Sequence, residues 1–182
     1  MKKITALLGS PRAGGNSEQL TEALLRGATK AGYEGTRIRL STLDLKGCLD
    51  CRECWTSGAP CIIPDDMGKV HEAIRESEAI VFASPLYWYS WSAQIKPVWD
   101  RFLPFLSDRA TWDLRGKTAI MIGTAGDDKP DVFRGLRFSF EISCELLGML
   151  PVEPLMAYGV FDKGDVTKGD WLSMAESLGA SL

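Results

Sequence analysis

The sequence lacks the features that would favour a nucleic acid or a membrane as a partner. Its 21 Lys and Arg residues nearly balance 24 Asp and Glu residues, for a net charge of -3, and neither sign forms a long run. A basic nucleic-acid surface and a polybasic membrane anchor are therefore not indicated. The apolar run after Lys2 and Lys3 lasts only about six residues before Gly9, which is shorter than a signal-peptide core or a membrane span. We expect a cytoplasmic protein whose partners are small molecules.

Histidine is almost absent, since His71 is the only one among 182 residues. It lies in an amphipathic helical pattern, where we expect an ordinary surface position. A Ser–His–Asp arrangement is therefore not indicated, and the sequence predicts no catalytic side chain.

Length and hydrophobic patterning predict one α/β domain. The chain is 45% apolar and 25% charged, enough to bury the core of a single domain over residues 1–182. Strand-like apolar segments occur at 3–8, 36–40, 79–83, 118–122 and, more weakly, 152–157. Helical patterns follow them at 17–30, from a cap at 65 or 66 to 74, at 92–102, at 132–147 before Gly148, and at 167–178. This alternation is typical of a parallel sheet covered by helices on both faces.

The turn between the first strand and the first helix, residues 9–17, reads GSPRAGGNS. It brings backbone N–H groups and small hydroxyls to the positive end of a helix, which suits a phosphate group. It has neither the G-x-G-x-x-G pattern nor the G-K-S/T ending of triphosphatase loops, so we expect a monophosphate. The candidate ligands are Ser10, Arg12, Asn16 and Ser17. In an alternative interpretation, Asn16 or Ser17 only caps the helix.

An aromatic loop, SPLYWYSWS, follows the third strand. Open parallel sheets bind ligands at the carboxyl ends of their strands, so this loop lies where a ligand is expected. Tyr87 and Trp88 are suited to packing against a flat ring such as an isoalloxazine. For Tyr89, Trp91 and Trp99, a place in the core or in a subunit interface is the favoured alternative.

Small residues follow the fourth strand, where the chain reads GTAGD from Gly123. Residues of this size let the backbone approach a ligand closely. Three loops are therefore predicted to converge at one edge of the sheet.

These motifs resemble those of the NAD(P)H-dependent FMN reductase family, particularly its iron–sulfur flavoprotein branch, within the flavodoxin-like superfamily. The resemblance spans most of the chain. It depends on GSPR with GNS in the first loop, on SPLYW followed by SAQIK and DRF, and on Cys61 followed by DDM at 65–67. It implies a flavodoxin-like three-layer fold with a five-stranded sheet in the order 2-1-3-4-5.

The resemblance also implies FMN as the cofactor, NAD(P)H as the electron donor, and a homodimer or homotetramer with FMN near a subunit boundary. The positions that it assigns to the phosphate are Ser10, Arg12, Asn16 and Ser17. Those that it assigns to the ring, the ribityl chain and a third FMN loop are Pro85, Leu86, Tyr87, Trp88, Thr124, Ala125 and Gly126.

Four of the five cysteines, Cys48, Cys51, Cys54 and Cys61, lie in a loop over residues 44–64 that has no clear periodicity. A loop of this length exceeds ordinary α/β connections, which indicates a function. Four thiolates at this spacing are enough to hold one 4Fe–4S cluster, and the spacing resembles the compact motif of iron–sulfur flavoproteins.

Three other interpretations of the cysteine loop stay open. Zinc also accepts four thiolates, a packed lid that includes Trp55 needs no metal, and reactive thiols or a disulfide need no cluster. Cys144, in contrast, lies in a helical apolar pattern and is expected in the core.

The function that these motifs predict is FMN-dependent electron transfer. A bound flavin performs the difficult chemistry, and the protein supplies position and electrostatics. Electrons would pass from NAD(P)H or a reduced protein to a small-molecule acceptor or a redox protein, with a cluster relaying them singly. Two alternatives are a non-enzymatic electron carrier without a nicotinamide site and a regulatory module that senses redox state.

Overall fold

The computed structural model describes residues 1–57, 60–106 and 112–182, and a parallel sheet lies at its centre. The strands are β1 (Lys2–Leu8), β2 (Tyr33–Arg39), β3 (Ala79–Pro85), β4 (Thr118–Thr124), β5 (Leu150–Pro151) and β6 (Leu155–Ala157). Their order is β2-β1-β3-β4-β5, β6 also pairs with β4, and all of these pairings are parallel. The predicted α/β class and the flavodoxin-like strand order are confirmed.

Helices cover both faces of this sheet. They are α1 (Asn16–Lys30), α2 (Glu53–Ser57), α3 (Met67–Glu76), α4 (Lys96–Asp100), α5 (Arg134–Leu147) and α6 (Trp171–Ala180). Short 3-10 helices occur at Leu40–Thr42, Leu103–Leu106, Pro130–Phe133 and Asp165–Thr167. Gly148 ends α5 with a φ of 66°, a left-handed conformation that favours glycine, as predicted. In the parts of the chain that are described, no helix has the length and apolar character needed to cross a membrane.

The sheet separates two hydrophobic cores because successive side chains of a strand point to opposite faces. Ile4 and Ala6 of β1 pack under α1 and α6, whereas Leu7 faces the core on the side of α3, α4 and α5. The second core contains the aromatic cluster Phe82, Trp91, Trp99, Phe102 and Phe140. Trp91 thus belongs to the core, the half-buried Trp99 packs against it, and Cys144 is confirmed in the core as predicted.

The fifth strand differs from the prediction. The predicted segment 152–157 contains one short strand, β6, and a second short piece, β5, lies just before that segment; both pair with β4. Pro154 lies between them and has no N–H to donate to a ladder, which interrupts the strand. Among the described residues, the sheet therefore contains six strand pieces where five continuous strands were expected.

His71 is buried, so the expectation of a surface position was wrong. Its side chain is 0% exposed, Nε2 lies 3.0 Å from Arg101 O, and the ring meets Phe105 and Trp112 edge to face. Burial lowers the pKa of the imidazole below 6.5. A surface position was expected because histidine is polar. Position 71, however, lies four residues after Met67, on the apolar stripe of α3 that faces the core.

Candidate functional site

Four loops meet at the carboxyl edge of the sheet and surround a cavity of ≈ 160 Å³. The loops follow β1, β3, β4 and β6. With the exception of Trp88, the residues predicted to bind the cofactor all line this cavity: Ser10, Arg12, Asn16, Ser17, Pro85, Leu86, Tyr87, Thr124, Ala125 and Gly126. The structure therefore brings the three predicted loops together and adds a fourth.

The first turn of α1 offers N–H groups beside the cavity. The residue before the helix is Gly15, which has no side chain to cap it, so the alternative in which Asn16 or Ser17 serves as the cap is wrong. The first N–H groups of a helix have no partner within it, and the helix dipole adds partial positive charge there. Ser17 is buried in the cavity wall together with Ser10. Donors of this kind suit a phosphate group.

Glu18 holds the turn between β1 and α1 in its shape. Its Oε2 accepts the Gly14 N–H at 2.5 Å, and its Oε1 pairs with Arg39 at the end of β2. Burial alone would raise the pKa of Glu18, but the hydrogen bonds from Arg39 and Gly14 outweigh it, and the pKa lies below 4.5. Gln19 Nε2 donates to Gly14 O at 2.8 Å. The turn is therefore held in place before any ligand binds.

The side chain of Asn16 holds the loop that follows β6. Its Nδ2 donates to Val160 O at 3.2 Å and to Asp162 O at 2.9 Å, while its Oδ1 accepts the Gly164 N–H at 2.9 Å. The side-chain amide of Asn16 is thus engaged with protein, and its main-chain N–H belongs to the first turn of α1.

This fourth wall consists of Val160, Phe161 and Lys163, which the sequence analysis missed. Lys163 Nζ donates to Ala13 O at 2.9 Å and so adds a positive charge beside the turn between β1 and α1. The signal was available in the sequence, because the rule that ligands bind at the carboxyl ends of parallel strands applies equally to the fifth strand.

The aromatic loop after β3 contains a tight two-residue turn. Tyr87 and Ser90 exchange both of their N–H···O bonds at 3.1 Å, and Trp88 and Tyr89 between them have φ of 50° and 61°. Positive φ at two non-glycine residues is strained, and such strain persists only where the surroundings or a function maintain it. Trp88 is 95% exposed and lies outside the cavity. Tyr89 is exposed too, so it is not a core residue, and the subunit interface stays a prediction for it.

The loops after β3 and β4 are joined to each other and to β6. Leu86 N–H donates to Thr124 O at 2.8 Å, and Ala125 N–H donates to Ala157 O at 2.9 Å. The cavity wall therefore continues the hydrogen bonding of the sheet and is rigidly positioned by it.

The cysteine loop is closed at its base by hydrogen bonds between its two ends. Asp66 N–H donates to Asp44 O at 2.9 Å, and Asp44 N–H donates to the Asp66 carboxylate at 2.9 Å. Lys46 Nζ donates to Pro64 O at 3.2 Å. These hydrogen bonds therefore hold the two ends of the cysteine loop together.

Within this loop Cys48 and Cys51 are exposed, Cys61 is half-buried and Cys54 is buried, all as free thiols. Burial raises the pKa of the Cys54 thiol, and the charges of Cys61, Cys51 and Cys48 raise it further. Among the residues described, no group of three or more His, Cys, Asp or Glu side chains is arranged to hold a metal ion. The loop thus supplies the donor types for a metal centre but not its finished geometry.

Comparison with known proteins connects these features. The family model for NADPH-dependent FMN reductase matches residues 2–132. An iron-sulfur flavoprotein of Archaeoglobus fulgidus is 32% identical over 181 residues, which cover 99% of this chain and 78% of that protein. An iron-sulfur flavoprotein of Methanosarcina thermophila is 32% identical over 124 residues, covering 68% of this chain and 63% of that protein.

Among solved structures, the NAD(P)H:quinone oxidoreductase from Methanothermobacter marburgensis superposes with a TM-score of 0.74 at 20% identity. The superposition covers 98% of this chain and 94% of that one. At this identity the likeness shows a shared fold.

Proposed function

The chain belongs to the NADPH-dependent FMN reductase family, a family of oxidoreductases, and from that membership we propose that it binds FMN and passes electrons from NAD(P)H or a reduced protein to a small acceptor. The observation that carries the proposal is the cavity at the carboxyl edge of the sheet, where open α/β sheets bind their ligands. Its walls combine hydrogen-bond donors and positive charge at one end with apolar and aromatic side chains at another. FMN needs both kinds of wall, because it carries a phosphate at one end and a flat ring at the other.

The phosphate end of the cavity fits a monophosphate. Arg12 and Lys163 supply positive charge, and Ser10 and Ser17 supply hydroxyls beside the uncapped start of α1. Charge-assisted hydrogen bonds from such groups are about twice as strong as neutral ones. We propose that these four residues and the first-turn N–H groups bind the FMN phosphate.

The ring end is formed by Pro85, Leu86 and Tyr87, with Thr124 to Gly126 opposite. We propose that these residues bind the ribityl chain and the ring, and that Trp88, on the adjoining strained turn, offers its apolar face to the ring. Bound FMN supplies hydride acceptance and electron release, singly or in pairs. The side chains orient the ring and exclude water, and none of them is assigned as an acid or a base.

We propose that Cys48, Cys51, Cys54 and Cys61 hold a 4Fe–4S cluster that relays single electrons. Two observations support this: the four thiols are free, and two relatives are named iron-sulfur flavoproteins. A cytoplasmic location is part of the proposal, since reducing conditions keep thiols free.

We further propose that the chain associates with a second copy of itself. Phe138, Ile142 and Leu146 lie four residues apart along α5 and are 67%, 50% and 69% exposed. A Cβ atom on Gly135, at the start of this helix, would lie 3.2 Å from Tyr89 O. The apolar stripe therefore begins beside the exposed aromatic turn, and the turn adjoins the cavity. An exposed apolar patch of this kind is typical of a subunit interface.

The test is an absorption spectrum of protein purified without oxygen, with iron and acid-labile sulfide measured per bound FMN, followed by stopped-flow reduction with NADH and NADPH. We expect flavin bands, about four irons per chain, and reduction faster than that of free FMN. Flavin without iron after anaerobic reconstitution would remove the cluster from the proposal. Reduction no faster than that of free FMN would leave a non-enzymatic electron carrier, and protein without flavin would contradict the central claim.

A further inference from the structure

A second cavity, of ≈ 540 Å³, lies beside β6 and shares no lining residue with the proposed FMN cavity. The apolar wall of this β6 cavity is formed by Phe133, Met156, Tyr158, Trp171 and Met174. The rings of Tyr158 and Trp171 meet edge to face, with their centroids 5.3 Å apart. A cavity of this volume with an apolar, aromatic wall is typical of a small-molecule site, and its rings suit a flat heterocycle.

Two arginines at the start of α5 also line the β6 cavity, and they differ in their partners. Arg137 pairs with Glu141 at 2.7 Å and with Glu153 at 2.8 Å. Arg134 is exposed and has no hydrogen bond or ion pair within the described part of the chain, although Asp131 lines the same cavity. A guanidinium without a carboxylate partner is available to bind a phosphate, for which its planar fork of donors is well suited.

The β6 cavity adjoins the proposed FMN cavity. Tyr158 lines the first and Val160 lines the second, and two residues of chain span at most about 7 Å. The ridge between the cavities is held by hydrogen bonds from Gly159 N–H to Asp127 O at 2.6 Å and from Val160 N–H to Ala125 O at 2.9 Å. A molecule made of two linked nucleotides can therefore place one half in the β6 cavity and reach the mouth of the FMN cavity with the other.

We propose that the β6 cavity binds the adenosine half of the nicotinamide nucleotide that donates electrons, with the adenine against the aromatic wall and Arg134 bound to a phosphate. The inference rests on the proposed function, in which NAD(P)H is an electron donor. Adenine offers a flat ring and the phosphates offer negative charge, and the β6 cavity has a wall for each. The nicotinamide half extends over the ridge at Gly159 toward the FMN cavity.

The first experiment measures the binding of ADP and of adenosine to FMN-loaded protein by isothermal titration calorimetry. Neither probe carries a nicotinamide, and bound FMN fills the other cavity. We expect Arg134→Met to raise the Kd for ADP about tenfold or more, because a charge-assisted contact is lost, and to leave the Kd for adenosine nearly unchanged. Trp171→Leu, which removes part of the aromatic wall, is expected to weaken the binding of both probes.

The matched control is Arg37→Met. Arg37 is an exposed arginine on β2, at the opposite edge of the sheet, where it pairs with Glu22. We expect this variant to bind ADP as the wild type does. Wild-type protein that binds no ADP, or an equal Kd for ADP in Arg134→Met and wild type, would overturn the proposal.

Stopped-flow reduction by NADH and NADPH separates this inference from the proposed function. We expect Arg134→Met to need about tenfold more nucleotide for half-maximal reduction and to keep the wild-type rate at saturation, because Arg134 binds the half that does not react. If Arg134→Met and the reducible wild type behave alike, the adenosine site is wrong and the reductase function stands. If neither nucleotide reduces the wild type, the reductase function is wrong, and ADP binding that depends on Arg134 would still support the adenosine site.

Discussion

Gly126 lies so close to Phe161 that a Cβ atom at position 126 would be 2.6 Å from Phe161 Cδ2. The two residues belong to the loops after β4 and β6 and form adjoining parts of the cavity wall. Real Cβ atoms essentially never come that close to another heavy atom, so any side chain at 126 must displace the Phe161 ring. The ring is 74% exposed and free to move, but the wall of the cavity moves with it.

Gly126→Ala is therefore expected to weaken FMN binding and to leave stability nearly unchanged. Displacement of one wall residue is expected to raise the Kd for FMN about tenfold, or about 1.4 kcal/mol. Quenching of flavin fluorescence on titration of the apoprotein measures this. Gly169→Ala is the control, because nothing lies within 4 Å of a Cβ atom there. Equal Kd values for the two variants would contradict a role for this wall in FMN binding.

Lys163→Met is expected to weaken FMN binding without affecting riboflavin binding. Lys163 lines the cavity beside the first turn, where only the phosphate of FMN would meet its charge. Loss of a charge-assisted contact costs about 1.5–3 kcal/mol, so the Kd for FMN is expected to rise about tenfold or more. Lys168→Met, which removes an exposed lysine paired with Asp165, is the matched control. An equal loss for FMN and riboflavin would mean that Lys163 does not bind the phosphate.

Three of the four cavity loops could be predicted from the sequence, because their positions follow from the positions of the strands. Once β1, β3 and β4 are recognised, their carboxyl ends meet at one edge of a parallel sheet. The fourth loop was missed because Pro154 divides the last strand and weakens its pattern. Lys163 was therefore not associated with the edge.

The hydrogen-bond partners of individual side chains could not be predicted from the sequence pattern. The amide of Asn16 was correctly placed at the turn, but its bonds to Val160 and Gly164 join residues more than 140 positions apart. The burial of Arg101 likewise depends on Asp65 from a distant loop. Contacts of this kind depend on the tertiary structure, because they join residues that are far apart in the sequence.

Replacing Phe138 and Leu146 with Glu is expected to convert an oligomer into a monomer. Both side chains are more than 60% exposed on one stripe of α5, and a charge buried in an apolar interface is strongly unfavourable. Sedimentation velocity at several concentrations measures the outcome. Met174→Glu, which adds charge to an exposed apolar position on α6, is expected to leave the wild-type state unchanged. A monomeric wild type would contradict self-association through α5.

His71 is expected to make the folded state sensitive to mild acid. Burial lowers its pKa in the folded state below the unfolded value of 6.5, so the unfolded chain binds a proton that the folded chain does not. Its contribution is fully present above pH 6.5 and is lost as the pH falls below that value. Urea unfolding from pH 7.5 to pH 5 measures the slope, and His71→Gln, which does not titrate, is expected to reduce it. An unchanged slope in that variant would assign the acid sensitivity to other groups.

Gly27 and Gly179 let α1 and α6 approach more closely than any other residue type would permit. A Cβ atom on Gly27 would lie 2.0 Å from Glu176 O, and one on Gly179 would lie 1.9 Å from Leu24 O, so both meet backbone that cannot rotate away. Gly27→Ala is therefore expected to lower the free energy of unfolding by about 3 kcal/mol or more, since it forces the helices apart. Gly68→Ala in α3 meets no atom within 4 Å and is expected to be neutral or stabilising by up to about 1 kcal/mol. Chemical denaturation of the two variants decides the matter, because helix propensity alone would make both substitutions stabilising.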